Sequence, residues 1–283
     1  MQNIDIPMIV DSMYVGTGAG ESEVTRISVS QLTDTEKINV EGAVAKEQAL
    51  TIMLNNQELI TLLCTPMDVN YLAIGFLFSE GLIKDGATLK KITVDNKRGI
   101  VRVETYNNAE PSSDFLFKRI ITSGCGRGAS FYNVADAQQQ KKIESQLKVS
   151  THDVLTLVHE FQRCSRVYEV THGVHSAALC DSKNIIVFNE DVGRHNAIDK
   201  IFGECLLKDI STEERIVITS GRISSEILLK VSHRNIPILI SVSAPTDLGV
   251  KLADDLGITL VGLVRGKKMT AYTNDWRLES GGE

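Results

Sequence analysis

Arg215-Ile216-Val217-Ile218-Thr219-Ser220-Gly221-Arg222 is a short apolar run, rich in β-branched residues, that breaks into a polar turn containing glycine. An unbroken apolar run of this length suits a strand covered on both faces, since a half-solvated strand would alternate. Downstream the theme repeats: helical spacing over 223–231, a strand over 237–242, a helix from Pro245, a strand over 258–264 and a closing strand over 269–273. Strands alternating with helices in this way predict an α/β sheet with helices on both sides.

Working upstream, Thr151 reads as the cap of a helix carrying Val154, Leu157, Val158, Phe161 and Cys164 on one face. Residues 174–180 and 184–188 read as paired strands. A helix from about Gly193 carries Ala197, Ile198, Ile201, Phe202, Cys205 and Leu206 on its apolar stripe. There is no domain-scale repeat, but Ile218-Thr219-Ser220-Gly221 echoes Ile121-Thr122-Ser123-Gly124, each at a strand end and each soon followed by arginine. Strand ends beside helix starts are where open α/β sheets bind ligands.

The N-terminal third has another character. Residues 1–24 include Gly16-Thr17-Gly18-Ala19-Gly20, which can bury little, and are expected to be a flexible segment. Residues 25–113 form a smaller α+β unit. Strands over 49–54 and 58–64 flank Asn55-Asn56-Gln57 as a hairpin, and a second hairpin spans 89–105 through the turn 95–99. Between them Asp68 caps a helix through Tyr71, Leu72, Gly75, Phe76, Leu77 and Phe78 that stops at Gly81. The polar stretch 107–113, which contains Pro111, is the boundary, so the α/β domain is 114–283.

Composition bounds the function. With 283 residues, 42% hydrophobic and 23% charged, the chain is an ordinary globular protein. Its formal charge of −6 argues against general nucleic-acid binding. The five cysteines include no Cys-x-x-Cys pair, so neither a zinc knuckle nor a disulfide framework is indicated, and a reducing cytoplasm fits. No apolar run approaches a membrane span of roughly 18 residues.

One thiol stands apart. Cys125 sits in Gly124-Cys125-Gly126-Arg127-Gly128, where glycines allow positive φ and close approach of a bulky partner. A free thiol of pKa about 8.5 is only a few per cent ionised at pH 7, and half-ionising it takes roughly 2 kcal/mol of preferential anion stabilisation. An exposed helix end supplies about 0.3–1 kcal/mol, so Arg127 or another cation must supply the rest. The alternative is a small buried residue in a tight turn.

Arginine neighbours glycine in Gly126-Arg127, Gly193-Arg194, Gly221-Arg222 and Arg265-Gly266, the last extended by Lys267 and Lys268. Each alone reads as a turn with a solvated arginine; together, at strand–helix junctions, they suit an anionic or nucleotide-bearing ligand. Glu190-Asp191-Val192-Gly193-Arg194-His195-Asn196 places Asp191, Arg194 and His195 at a helix start. For Asp191 a cap and ion pair is the stronger reading; His195 is the better candidate for the chemistry. His172 and His175, three apart on a strand, face oppositely and share no metal. The His-x-Glu and Pro-Cys-x-x-Cys strings of a zinc deaminase do not occur, and no metal ligands are assigned.

These motifs, in this order, resemble the formate dehydrogenase accessory sulfurtransferases, the FdhD family. The likeness rests on Thr122-Ser123-Gly124-Cys125-Gly126, Thr171-His172-Gly173-Val174-His175, Glu190 to Ala197, Thr219-Ser220-Gly221-Arg222, Ser243-Ala244-Pro245-Thr246 and Gly262-Leu263-Val264-Arg265-Gly266. It implies a C-terminal cytidine-deaminase-like domain with a helix-covered mixed sheet. It also implies a homodimer that takes persulfide sulfur from a cysteine desulfurase on Cys125. The sulfur passes to the molybdenum bis-molybdopterin guanine dinucleotide cofactor destined for formate dehydrogenase. The resemblance assigns cofactor binding to Leu263, Val264, Arg265, Gly266, Lys267 and Lys268; Arg127, Arg194, His195 and Arg222 join them from the residue reading. Many members carry a second loop cysteine where this chain has Gly128, which leaves a single persulfide carrier without an internal disulfide. The alternative function is a non-catalytic chaperone for the same cofactor. A general GTP-binding module is disfavoured because no Gly-x-x-x-x-Gly-Lys-Ser/Thr loop is present.

Overall fold

The structure is a computed structural model, and it describes residues 2–4, 23–106, 120–121, 129–130 and 141–280. The expected boundary stretch 107–113 and the loop residues Cys125, Arg127 and Gly128 lie outside the described residues. In chain order the strands are β1 (Gln2–Ile4), β2 (Val24–Leu32), β3 (Lys37–Ala45), β4 (Gln48–Leu54) and β5 (Gln57–Cys64), followed by helix α1 (Val69–Ser79). Then come β6 (Leu89–Asp95), β7 (Ile100–Thr105), β8 (Ile120–Ile121), β9 (Ala129–Ser130), β10 (Val149–Ser150), α2 (Thr151–Cys164) and α3 (Arg166–Thr171). The remainder alternates: β11 (His175–Cys180), β12 (Ile185–Asp191), α4 (Arg194–Leu207), β13 (Ile216–Thr219), α5 (Ser225–Ser232), β14 (Ile238–Ser241), α6 (Asp247–Asp255), β15 (Thr259–Arg265), β16 (Lys268–Thr273) and β17 (Leu278–Glu279).

The first sheet has the order β1-β6-β7-β4-β5. Its β4–β5 hairpin turns through Asn55 and Asn56 at φ 46° and 68°, the left-handed pair that such a tight turn requires and that asparagine tolerates. Helix α1 is buried on nearly every side, not along one stripe: Val69 and all residues from Leu72 to Ser79 are out of solvent. Asp68 precedes it at φ 53°, and its side chain makes no capping hydrogen bond, so the helix start is right but the capping role is not. Gly81 ends the segment at φ 70°, as expected of a left-handed terminator.

The second sheet has the order β12-β11-β13-β14-β15-β16. Strands β13, β14 and β15 run parallel, while β11 is antiparallel to both its neighbours and β16 is antiparallel to β15. The three parallel strands are buried almost throughout, in agreement with their unbroken apolar sequence. Apolar cores lie on both sides of the sheet. One contains Val154, Leu157 and Phe161 of α2. The other combines α4 residues Ile198, Ile201 and Phe202 with Leu50, Ile52 and Leu54 of the first sheet, so both units share one core.

Helices α1 and α4 cross in direct backbone contact. A Cβ added to Gly75 would lie 1.7 Å from the Asp199 carbonyl oxygen, and one added to Gly203 would lie 1.9 Å from that of Tyr71. Neither site can hold a larger residue without moving the helices apart. Gly203→Ala is therefore expected to cost about 1–3 kcal/mol in a denaturant titration; an unchanged midpoint would mean that the crossing relaxes freely.

Several sequence expectations shift. Ser150, not Thr151, caps α2, accepting from the Asp153 N–H at 3.0 Å. Cys164, expected on the buried stripe, is exposed at the helix end. Helix α3 is too short to leave a periodic signal. Glu190 closes its start, taking the Ser165 hydroxyl at 2.5 Å and the Val167 N–H at 3.2 Å. His172 ends that helix at φ 51°, so it and His175 belong to different elements, not to one strand.

Candidate functional site

The pairing registers bring five sequence motifs to one end of the second sheet. His175 opposes Asp191, Ala177 opposes Thr219, and Thr219 opposes Ser241, so the start of β11 and the ends of β12, β13, β14 and β15 lie side by side. The loops leaving these ends carry Arg194 and His195, Ser220 and Arg222, Ser243 to Thr246, and Arg265 to Lys268.

Each loop is held by its own sequence. The Thr219 hydroxyl accepts from the Gly221 N–H at 3.2 Å, and the Ser241 hydroxyl donates to the Gly221 carbonyl at 2.7 Å. A Cβ on Gly221 would come within 2.7 Å of the Arg194 Cβ, so glycine is what lets the β13 loop lie against the start of α4. The Ser220 hydroxyl accepts from the Ser176 N–H at 2.9 Å and meets His175 Nδ1 at 3.3 Å.

The outcome is a cationic cluster at the strand ends, where open α/β sheets form their ligand crevice. His175 is held below the ordinary histidine pKa by burial first, then by Arg194, His195 and Arg222, with Asp191 opposing. Arg194 is 9% exposed, whereas Arg222 stands in solvent. His195 Nε2 lies 3.0 Å from Glu226 Oε2 on α5, off the axis of an ideal hydrogen bond. Glu226 is desolvated, but the nearby His195, Arg194 and Lys230 outweigh that and bring its carboxyl below the usual range. Such an arrangement favours an anion: fixed cations from separate loops, a neutral imidazole, and the N-terminus of α4.

Asp191 turns away from this crevice. Its Oδ1 accepts from the Gly193 N–H at 2.9 Å and Asn196 Nδ2 at 2.8 Å. Its Oδ2 accepts from the Thr65 N–H at 3.1 Å and hydroxyl at 3.0 Å, and lies 2.8 Å from Lys200 Nζ. The ion-pair reading of Asp191 is the correct one.

The Arg265 loop differs from the other arginine loops. It is the tip of the β15–β16 hairpin, not a strand–helix junction, and turns through Gly266 at φ 56°. Arg265, Gly266, Lys267 and Lys268 are exposed. Leu263 is 37% exposed at φ 54°, while the Val264 side chain is buried in the core, so a ligand here would meet Val264 through its backbone.

Glu226 and Ser220 escaped the sequence reading as site residues. Glu226 sits in the first turn of α5, where an acid reads as helix-dipole compensation, and Ser220 as a turn residue. The echo of Ser220 with Ser123 was the available signal.

An α/β protein with a cluster of arginine and histidine side chains at the ends of its parallel strands is the class that fold and site define. Residues 45–279 match the model of the FdhD/NarQ family, and the chain belongs to that family. It is similar to the "Sulfur carrier protein FdhD" of Bacillus subtilis (strain 168), 41% identical over 239 residues, covering 84% of this chain and 91% of the relative. The protein of the same name from Geobacillus kaustophilus (strain HTA426) is 39% identical over 241 residues, covering 85% and 92%. A crystal structure of a putative formate dehydrogenase accessory protein from Desulfotalea psychrophila superposes with a TM-score of 0.75 at 24% identity, covering 91% of this chain and 100% of that one. That likeness speaks to the fold.

Proposed function

We propose that this protein carries sulfur as a persulfide on Cys125 and transfers it, in the maturation of a formate dehydrogenase, to a molybdenum bis-molybdopterin guanine dinucleotide bound in the crevice. The donor is a cysteine desulfurase. In the loading step the Cys125 thiolate attacks the outer sulfur of the donor persulfide, the donor S–S bond breaks, and the donor cysteine leaves as a thiolate. The reading includes a cytoplasmic homodimer with a deaminase-like arrangement of the C-terminal sheet. No helix among the described residues is long and apolar enough to cross a membrane.

One observation carries the proposal. All four described cysteines hold their protons more tightly than a free thiol. Burial pushes Cys64 and Cys205 up to about 12 and raises Cys180 as well; desolvation and then Glu160 raise Cys164. A sulfur carrier needs an accessible thiolate, which these four do not supply and which the Gly-rich setting of Cys125 favours. Intact-mass measurement after incubation with a cysteine desulfurase and cysteine tests it: one added sulfur is expected, and a protein that gains none would leave the non-catalytic chaperone as the better reading.

In the crevice, Arg194 and Arg222 would face the phosphates of the guanine dinucleotide and His195 a hydroxyl or N–H beside them, with the Arg265–Lys268 hairpin reaching a phosphate or base at its edge. Arg265→Ala combined with Lys268→Ala is expected to weaken GDP binding about three- to tenfold at low salt, and less at high salt because exposed charges are screened. Equal affinities at low salt would remove this hairpin from the site.

A further inference from the structure

Helices α4 and α5 are joined by a two-rung ladder of opposite charges. His195 meets Glu226 at 3.0 Å. Asp199 takes both of its oxygens to Lys230 Nζ at 2.7 Å. On each helix the two residues are four apart, one turn, so the rungs stack. The deeper rung is anchored: Asp199 Oδ1 also accepts from the Ser79 hydroxyl at 2.7 Å, and Glu80 lies 3.8 Å from Lys230. The inner rung therefore fixes the register of α5 against α4 and sets where Glu226 stands.

The outer rung opens on the crevice. Glu226 and His195 are 16% and 21% exposed in their side chains, and Arg194 belongs to the same cluster. An ionised carboxylate only accepts hydrogen bonds, so the nitrogen against it must carry the proton; two lone pairs at 3.0 Å would repel. This contact governs the imidazole in either charge state.

We propose that Glu226 is a positioning residue: it keeps the His195 proton on Nε2 and holds the ring so that Nδ1, the bare acceptor, is presented to a hydroxyl or N–H of the nucleotide ligand. The proposal rests on the crevice being the guanine-dinucleotide site. A carboxylate whose only role was to offset the α5 dipole would leave the state of the His195 ring unchanged when removed.

The test uses the full chain with GDP as probe. Wild type, Glu226→Ala, Glu226→Gln, His195→Gln and the Glu226→Ala/His195→Gln double variant are compared by calorimetric titration, and ring tautomers by long-range proton–nitrogen NMR, with His195→Gln identifying the His195 signals. Glu226→Ala is expected to bind GDP about tenfold more weakly and to show mixed His195 tautomers. Glu226→Gln, whose amide oxygen still accepts, should restore the Nε2–H form and most of the affinity. In the double variant the losses should not add, because both changes remove one device. Unchanged affinity in Glu226→Ala, fully additive losses, or the same tautomer in Glu226→Ala and wild type would each overturn the proposal. A wild type that binds no GDP would instead sink the crevice reading, and the tautomers would still decide the role of Glu226. Should Glu226→Ala fail to fold, Glu226→Asp, with its carboxylate one methylene short of His195, carries the same expectation.

Discussion

Cys125→Ser is expected to abolish sulfur loading and to reduce formate dehydrogenase activation in cells to background. Serine keeps the size of the side chain but offers neither a thiolate nor a sulfur that can form a persulfide. The other cysteines are poor substitutes, since three of the four described ones are buried. The fourth, Cys164, is exposed, but desolvation first and then Glu160 raise its proton affinity. Because the loop carries Gly128 and no second cysteine, no neighbour in the loop can expel the bound sulfur by closing a disulfide. Gly128→Cys is accordingly expected to shorten the persulfide lifetime. Bound sulfane sulfur followed over time and mapped by peptide mass checks both expectations. Loading undiminished in Cys125→Ser, or sulfur found mainly on Cys164, would end the single-carrier mechanism.

The second sheet was legible because its signals are local and strong. Buried parallel strands announce themselves as short β-branched runs, and β13, β14 and β15 fall where Ile216 to Ile218, Ile238 to Ile240 and Leu260 to Val261 place them. Two of the three described N-terminal hairpins, β4–β5 and β6–β7, were equally plain, since Asn55-Asn56 and Gly99 supply the left-handed residues that tight turns demand, whereas β2–β3 was not read as a hairpin. What failed was what depends on partners distant in sequence. Cys164 continues the helical period of Phe161 and yet is exposed, because α2 ends there and Ser165 turns to Glu190, 25 residues away. Helix α3 exists through the same carboxylate, which no local pattern reports.

The site divides along the same line. Arg194, His195 and Arg222 were legible as residues beside glycine at strand ends. That they share one crevice is a matter of sheet order, which the sequence does not print. Glu226 joins them only because the Asp199–Lys230 contact fixes two helices in register. The Arg265 hairpin was misplaced for a related reason. The strands read over 258–264 and 269–273 already flank Arg-Gly-Lys-Lys, but the glycine–arginine pattern grouped it with the strand–helix junctions, whereas β16 folds straight back on β15.

Asp191→Ala is expected to be the most damaging single change away from the thiol, costing about 3–5 kcal/mol, because it leaves a buried ammonium without its counter-charge. Lys200 and Asp191 are both fully buried, and Lys200 Nζ retains only the Thr65 hydroxyl at 2.8 Å and the Glu190 carbonyl at 3.0 Å once the carboxylate is gone. The Gly193 N–H and the Asn196 amide lose an acceptor at the same time, and these residues form the start of α4 that presents Arg194 and His195. The Thr65 N–H loses its acceptor as well, and its hydroxyl keeps only the longer bond to the Glu190 carbonyl at 3.4 Å, which loosens the end of β5 from the end of β12. A denaturant titration should therefore show a large loss of stability, and GDP binding at low denaturant should fall with it. Replacing Lys200 by methionine in the same chain removes the orphaned charge and is expected to recover part of the loss, whereas Lys200→Met alone leaves a buried carboxylate and destabilises. If Asp191→Ala kept wild-type stability but lost nucleotide binding, Asp191 would be a ligand contact and not the strut that joins the two sheets.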